Sequence, residues 1–427
     1  MIGWHANRGW DQAADVFPAS RFRDQFYRPD IVQLVLATLD EDKAIDQANS
    51  VAKRTREAED VTKRLPPVIT ILSPADGAEV RDGEITVEYT IRSPSSLPVS
   101  EVRATIDDRP AGQGQKSAIP ISANDSPLTL RVPMPPRDLT LSLFAITKAG
   151  TSSEPARIRL RWAGAKVQES GPTLHALVIG ISKYAQTGLN LGFAAKDADD
   201  FADALMMQQG KAYQKVVVKK LTNEQATERS IRMGLGWLKN EVKTRDDRAV
   251  LFFSGHGATT PELVSYLLPH DVDRADLVAT GLDKSIIFNT LRGLPGKVLV
   301  FLDACHAAEG IEAATGGLRR LDTVGLMNEL ADPQHGIVSF VSSQGNEFSY
   351  ESDTWRNGAF TNALVDGLAG KALDPGEHEI STIDLYKWLY KRVPALLKGV
   401  PALAAKRQTP IMHGPPSLAP FPVALVK

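Results

Sequence analysis

RAVLFFSGHG (248–257) and KVLVFLDACHA (297–307) decide how this chain is read. Each opens on a basic residue, runs through five apolar ones and ends in small and reactive residues. LHALVIGI (174–181), KVVVKKL (215–221) and GIVSFVSS (336–343) are compact apolar runs of the same kind. Strands that are apolar on both faces belong to a mostly parallel sheet covered by helices on both sides. Helical spacing fills the intervals, as in Ala194, Ala198, Phe201 and Leu205, the stretch 227–242, and segments near 358–369 and 382–392. An α/β domain over 172–427 follows.

Upstream the grammar differs. From 66 to 163, short alternating apolar runs are separated by turn residues such as Asp76-Gly77 and Asp82-Gly83. Six or seven strands over this length predict an immunoglobulin-like β-sandwich without a disulfide. Residues 1–65 read as a helical lead-in after an irregular start. Pro29 is placed to open a helix, and the charged, Ala-rich stretch from Asp40 to Arg64 suits a solvated one. Trp4, Trp10 and Phe17 call for a partner surface, which suggests that the chain is part of a longer architecture.

Composition narrows the function. Over 427 residues, 43% are hydrophobic and 23% charged, and the formal net charge is −2. That balance excludes wholesale disorder. It also gives no reason to expect a nucleic-acid partner, which would favour a basic chain. No apolar stretch is long enough to predict a membrane span. The opening MIGWHANRGW lacks the basic start and apolar run of a signal peptide, and with one cysteine in the chain a cytoplasmic location is expected.

In open α/β sheets, catalysts gather at the carboxyl ends of strands. Ser254-Gly255-His256-Gly257 stands at one such end and Asp303-Ala304-Cys305-His306 at another. Taken singly, a thiol after a buried strand or a histidine in a Gly-rich turn is usually structural. At matching strand ends they read as a pair. A free thiol is only slightly ionised at neutral pH, and an imidazole can take its proton and later protonate a leaving amine. The N–H groups of Gly257 and Cys305 are candidate oxyanion donors. His306 is adjacent to Cys305 and poorly placed to act on it, and His270 reads as structural.

With HALVIGISKY, LGFAAKDADDFADAL, VLFFSGHG, YLLPHDVD, VLVFLDACHA, GAFTNALVDGLAG and the later QTP, the chain resembles the caspase-like clan of cysteine peptidases, on its bacterial, metacaspase-like side, over about 174–412. A histidine about 50 residues before the cysteine is itself a caspase hallmark. The resemblance implies His256 as general base and acid, Cys305 as nucleophile, and Gly257 and Cys305 as oxyanion donors. It also implies Asp303, Asp197 and Ser254 as the pocket for the residue before the cut. Caspases that cut after Asp carry Gln where Asp303 stands. Two carboxylates would favour Arg or Lys through charge-assisted bonds and repel Asp. The expected activity is therefore endopeptidase cleavage after basic residues through an acyl-enzyme. The alternatives are a silent caspase-fold interaction scaffold and an Asp-specific protease. Asp197 also sits early in a helix, where a negative charge is favourable in any case.

Relatives that need calcium direct attention to Asp271, Asp273, Asp276 and Asp283. A hard cation wants six to eight oxygens, and Leu282-Asp283-Lys284 replaces the paired acids expected, so no cofactor or metal ligand is assigned, with activation by calcium kept as an alternative. Relatives also cut themselves; the long segment from Ala307 to His335, read as a loop, carries Arg319-Arg320 as candidate cleavage sites. Finally, the first 65 residues and the sandwich resemble the stretch between a WD-repeat propeller and the peptidase in multidomain bacterial caspase homologues. Expected partners are protein or peptide substrates, and a regulatory protein or sensor acting through the N-terminal half.

Overall fold

A computed structural model describes residues 3–11, 13–22, 28–51, 61–111, 126–148, 150–165, 171–260, 264–304, 319–330, 335–345, 347–415 and 420–426. The chain divides into two compact units, Met1–Val167 and Gln168–Lys427.

In the first unit, β1 (Gly3–Ala6) and β2 (Asp15–Pro18) form an antiparallel hairpin where an irregular start was expected. Trp4 and Phe17 find partners within the unit. Trp4 lies edge-on to Phe22 at 4.5 Å, and Phe17 and Phe22 are buried with Leu65. Trp10 is exposed. Pro29 does open a helix, α1 (Pro29–Thr38), followed by α2 (Glu41–Val51). The expected solvated helix from Asp40 to Arg64 is matched as far as Val51; 52–60 lie outside the described residues, and Val61–Arg64 is a 3-10 turn.

Eight strands follow: β3 (Val68–Ser73), β4 (Ala78–Val80), β5 (Glu84–Arg92), β6 (Val99–Ile106), β7 (Arg109–Pro110), β8 (Leu128–Pro133), β9 (Leu139–Thr147) and β10 (Ala156–Trp162). They form sheets β3-β5-β8 and β4-β10-β9-β6-β7. Alternate residues such as Val87, Tyr89 and Ile91 of one sheet and Leu139, Leu141 and Leu143 of the other share one apolar core. The run EVRATIDDRP (101–110) ends in a hairpin between β6 and β7. Asp107 and Asp108 both take positive φ, a conformation that Asp tolerates, and the chain reverses there.

The second unit is built on a six-stranded sheet. In chain order its elements are β11 (Thr173–Gly180), α3 (Ala194–Met206), β12 (Lys215–Thr222), α4 (Glu228–Glu241), β13 (Arg248–Ser254), the short strands β14 (Gly257–Thr259), β15 (Ser265–Leu267) and β16 (Leu282–Asp283), α5 (Lys284–Arg292), β17 (Lys297–Asp303), β18 (Arg319–Arg320), α6 (Thr323–Leu330), β19 (Ile337–Val341), β20 (Glu351–Ser352), β21 (Asn357–Gly358), α7 (Ala359–Asp366), β22 (Glu379–Ser381), α8 (Thr382–Lys398), β23 (Ile411–His413) and β24 (Pro422–Leu425). The main sheet runs β12-β11-β13-β17-β19-β23, and only β23 is antiparallel to its neighbour.

Each central strand is buried on both faces. Leu251, Phe253, Val300 and Leu302 pack with Leu235 and Leu238 of α4 and Ile287 and Phe288 of α5. Their neighbours Val250, Phe252, Leu299 and Phe301 pack on the opposite face with Phe201 of α3, Phe360 of α7 and Leu389 of α8. Phe201 stacks on Phe252 at 4.5 Å, and Phe301 on Phe340 at 5.0 Å. No helix among the described residues is long and apolar enough to cross a membrane.

The segment from Ala307 to His335, expected as a loop, carries a short strand and a helix within its described residues 319–330, and 331–334 are not among the described residues. Its residues 307–318 lie outside the described ones, but Arg319 and Arg320 pair with Thr259 and Ala258, and α6 follows, burying Leu326 and Leu330.

Candidate active site

Strand register assembles the site. β11 pairs with β12 on one side and β13 on the other, and Gly180, Ser254 and Asp303 end three adjacent strands in one row. This reversal of strand order opens a crevice at the carboxyl ends. Helix α3 comes down against it because residue 180 has no side chain: a Cβ there would meet the Ala194 carbonyl oxygen at 2.2 Å and the Ala198 Cβ at 2.6 Å. The close approach carries Asp197, in the first turn of α3, to the strand ends.

Asp197, Ser254 and Asp303 are all fully buried there. Ser254 Oγ donates to Asp197 Oδ2 at 2.9 Å, and the Gly358 N–H donates to Asp197 Oδ1 at 2.9 Å. Thr361 Oγ1 donates to Asp303 Oδ2 at 3.1 Å. Burial, and then the charge of Asp303, push the Asp197 carboxyl well above its ordinary range, partly offset by the bonds from Gly358 and Ser254. Gly358 closes over both acids. A Cβ on it would lie 2.8 Å from Asp303 Oδ2 and 3.1 Å from Asp197 Oδ2.

His256 is buried at the turn between β13 and β14, 1% exposed. Its Nε2 lies 2.8 Å from the carbonyl oxygen of Leu189. A carbonyl can only accept, so Nε2 carries the proton, and the basic nitrogen of the neutral ring is Nδ1. The His256 backbone N–H donates to Tyr184 Oη at 2.8 Å, and the two rings are 5.2 Å apart. Burial raises the Tyr184 phenol, so it stays a neutral acceptor. Tyr184 and Leu189 both belong to the connection from β11 to α3. That connection is itself held by Asn223, which accepts from the N–H groups of Ser182 and Lys183, and by Asn190, which accepts from that of Tyr184. His270 braces it too, with Nδ1 at 2.7 Å from the Lys183 carbonyl.

Cys305 and His306 lie outside the described residues, as do Gly316 and Gly317. Ala304, which precedes the cysteine, is buried at the end of β17. Gly257 opens β14 opposite Leu267. The four candidate calcium ligands are accounted for as helix caps: Asp271 accepts from the Glu228 N–H, Asp273 from Ala275, Asp276 from Ala279 and Asp283 from Ser285. Among the described residues no cluster of His, Cys, Asp or Glu is suited to a metal ion. Sequence reasoning missed Leu189, Tyr184, Gly358, Thr361 and Glu351. Glu351 accepts from the N–H groups of Gly192 and Phe193 at 2.9 and 3.1 Å and so caps α3.

Among solved structures, the chain is similar to the fibronectin(III)-like modules of CbhA from Clostridium thermocellum, at 13% identity over 23% of this chain and 100% of that one, TM-score 0.17. It is similar to the SrpA adhesin from Streptococcus sanguinis at 22% identity over 35% and 76%, TM-score 0.20. With CopC from Methylosinus trichosporium OB3b the identity is 11% over 24% and 100%, TM-score 0.17. Likenesses this slight carry no argument. No curated protein matches the chain. The caspase-domain model of peptidase family C14 matches residues 173–414, which span the whole six-stranded sheet and every strand end described above. The chain belongs to the caspase-domain peptidase family.

Proposed function

We propose that this chain is a cysteine endopeptidase that cleaves after Arg or Lys. The observation that carries the reading is the buried pair Asp197 and Asp303 beside the end of the strand that leads into Cys305. Two carboxylates sharing one buried site resist ionising together. A guanidinium or ammonium resolves that conflict, and Arg can engage both through parallel N–H bonds. An Asp side chain would add a third negative charge.

In the reaction, His256 Nδ1 takes the Cys305 thiol proton and the thiolate forms an S–C bond to the peptide carbonyl carbon. The N–H groups of Gly257 and Cys305 receive the oxyanion. The imidazolium then protonates the amine as the C–N bond breaks, leaving a thioester. Water, deprotonated by His256, releases the carboxylic acid and regenerates the thiol. The Leu189 carbonyl keeps the ring in the tautomer this needs and stabilises the imidazolium in between. The reading places the enzyme on the metacaspase-like side of the family, with the N-terminal sandwich in the immunoglobulin-like class, serving substrate or regulator recognition. Self-cleavage after Arg319 or Arg320 belongs to the same reading. It requires β18 to leave the edge of β14, because the backbone of both residues is paired there.

Hydrolysis of fluorogenic peptides differing only in the residue before the cut tests the reading, with Cys305→Ala as the blank. Arg and Lys peptides are expected to turn over, and the signal to vanish in the blank. Preference for Asp would overturn the pocket. Silence throughout, with Cys305 alkylated no faster than a free thiol, would overturn the enzyme and favour a scaffold.

Gly358 offers a second check. Its φ of −64° suits any residue, so Gly358→Ala changes only space. The added methyl crowds both carboxylates, and overpacking of this kind costs about 1–3 kcal/mol, so KM for Arg peptides should rise about tenfold. The rate of Cys305 alkylation should not change; if it falls as KM rises, the glycine serves the dyad and not the pocket.

A further inference from the structure

Gln408 and Thr409, in the QTP stretch, lie between α8 and β23, far in sequence from every residue of the site. Gln408 is 1% exposed. Its Nε2 donates to the Ser342 carbonyl at 3.1 Å, and its Oε1 accepts from the Tyr350 N–H at 3.0 Å. One contact needs a donor and the other an acceptor, so an amide of this length is required; a carboxylate would turn an oxygen on the Ser342 carbonyl. Thr409 donates twice to the Glu347 carboxylate, from its N–H at 2.6 Å and from Oγ1 at 3.1 Å. The stretch 342–350 is thus tied at its start, near its middle and at its end by two consecutive residues.

That stretch, with Glu351 after it, is bonded next to Asp303, next to Gly358 and at the start of the helix that carries Asp197. The Ser342 N–H donates to the carbonyl of Leu302, the residue before Asp303, at 3.0 Å. The Tyr350 carbonyl accepts from the N–H of Ala359, the residue after Gly358, at 2.8 Å. Glu351, next in the chain, caps the helix that carries Asp197. Gln408 makes no hydrogen bond to either carboxylate, yet its two bonds fix the segment that joins both to their glycine cover.

We infer that Gln408, with Thr409, is a positioning residue for substrate selection, a clamp that holds the 342–351 segment so that Asp197, Asp303 and Gly358 keep their spacing. The inference rests on the basic-pocket reading above. Its test compares kcat/KM for an Arg peptide with that for the citrulline peptide, which has nearly the same shape but no charge. In Gln408→Ala the Arg-to-citrulline ratio should fall about tenfold, through KM, as expected for a lost buried hydrogen bond. Inhibition by benzamidine should weaken in step, while kcat and the rate of Cys305 alkylation by iodoacetamide hold within about twofold. Should that variant fail to fold, Thr409→Val, which loses only the Oγ1 bond, carries the test with a fall of about threefold. An unchanged ratio, or a loss confined to kcat with slower alkylation, overturns the clamp. A wild-type chain that is itself indifferent to the charge refutes the basic pocket instead, and the clamp is then judged on KM for whichever peptide it does cleave.

Discussion

Asp303→Asn is expected to remove the preference for basic residues and, in the same variant, to raise stability near neutral pH. The substitution keeps the shape of the side chain and an oxygen for the Thr361 hydroxyl. It removes one of the two fully buried carboxyl groups facing the proposed substrate cation. Breaking a buried, hydrogen-bonded charge pair costs about 2–5 kcal/mol, so kcat/KM for Arg peptides should fall roughly 10²–10³-fold, with the citrulline peptide little affected. Stability moves the other way. The Asp197 carboxyl is raised in the folded chain, by burial first and then by the Asp303 charge. A group whose folded pKa lies above its unfolded one favours the fold while protonated. The contribution of this group to stability is therefore greatest below the ordinary carboxyl range near pH 4, and declines as pH rises from there toward the folded pKa. Asn at 303 removes the second cause and flattens that decline. Thermal unfolding between pH 4 and pH 7 would show it, at about 2–4 °C for each kcal/mol of repulsion relieved. Parallel curves for the two proteins would mean that the acids do not oppose each other.

His256→Ala should lower kcat about 10³-fold, the usual share of a general base and acid, and leave KM for Arg peptides near its wild-type value. The reason for the split is spatial. His256 is held by Tyr184 and Leu189, whereas the pocket acids are held by Ser254, Gly358 and Thr361. Alkylation of Cys305 should slow in the same variant, because the thiolate loses its proton acceptor. Equal kcat in the variant and the wild-type chain would remove His256 from the reaction.

Much of the site was open to reading because a parallel sheet makes its geometry additive. A strand apolar on both faces reads as central and its carboxyl end as facing the crevice, which put Ser254 and Asp303 at strand ends; their shared pocket was implied by the resemblance, and the register that sets them in one row came from the structure. Asp197 entered through the resemblance, which implies a pocket acid early in the first helix. The remaining parts act through groups that leave no mark in a sequence. Gly358 matters by lacking a side chain, Leu189 through its carbonyl, and Glu351 by accepting from backbone N–H groups far away in sequence. Helix α6 was missed because TVGLMNEL carries a helix-weakening Gly325, and burial of Leu326 and Leu330 overrides that preference. The acids near 271–283 invited a cation, yet each has a helix or turn to cap.

The contact between His256 Nε2 and the carbonyl of Leu189 separates what residue 189 is from what it does. Its oxygen is common to all twenty amino acids, so replacing the side chain, one position at a time, leaves the contact chemically intact. Only a change in the length or course of the chain between Ser182 and Leu191 can take it away. Homologous chains are therefore free to diverge in identity at this position while being held to a fixed number of residues around it, and inserting or deleting one residue there should silence the enzyme more thoroughly than any substitution.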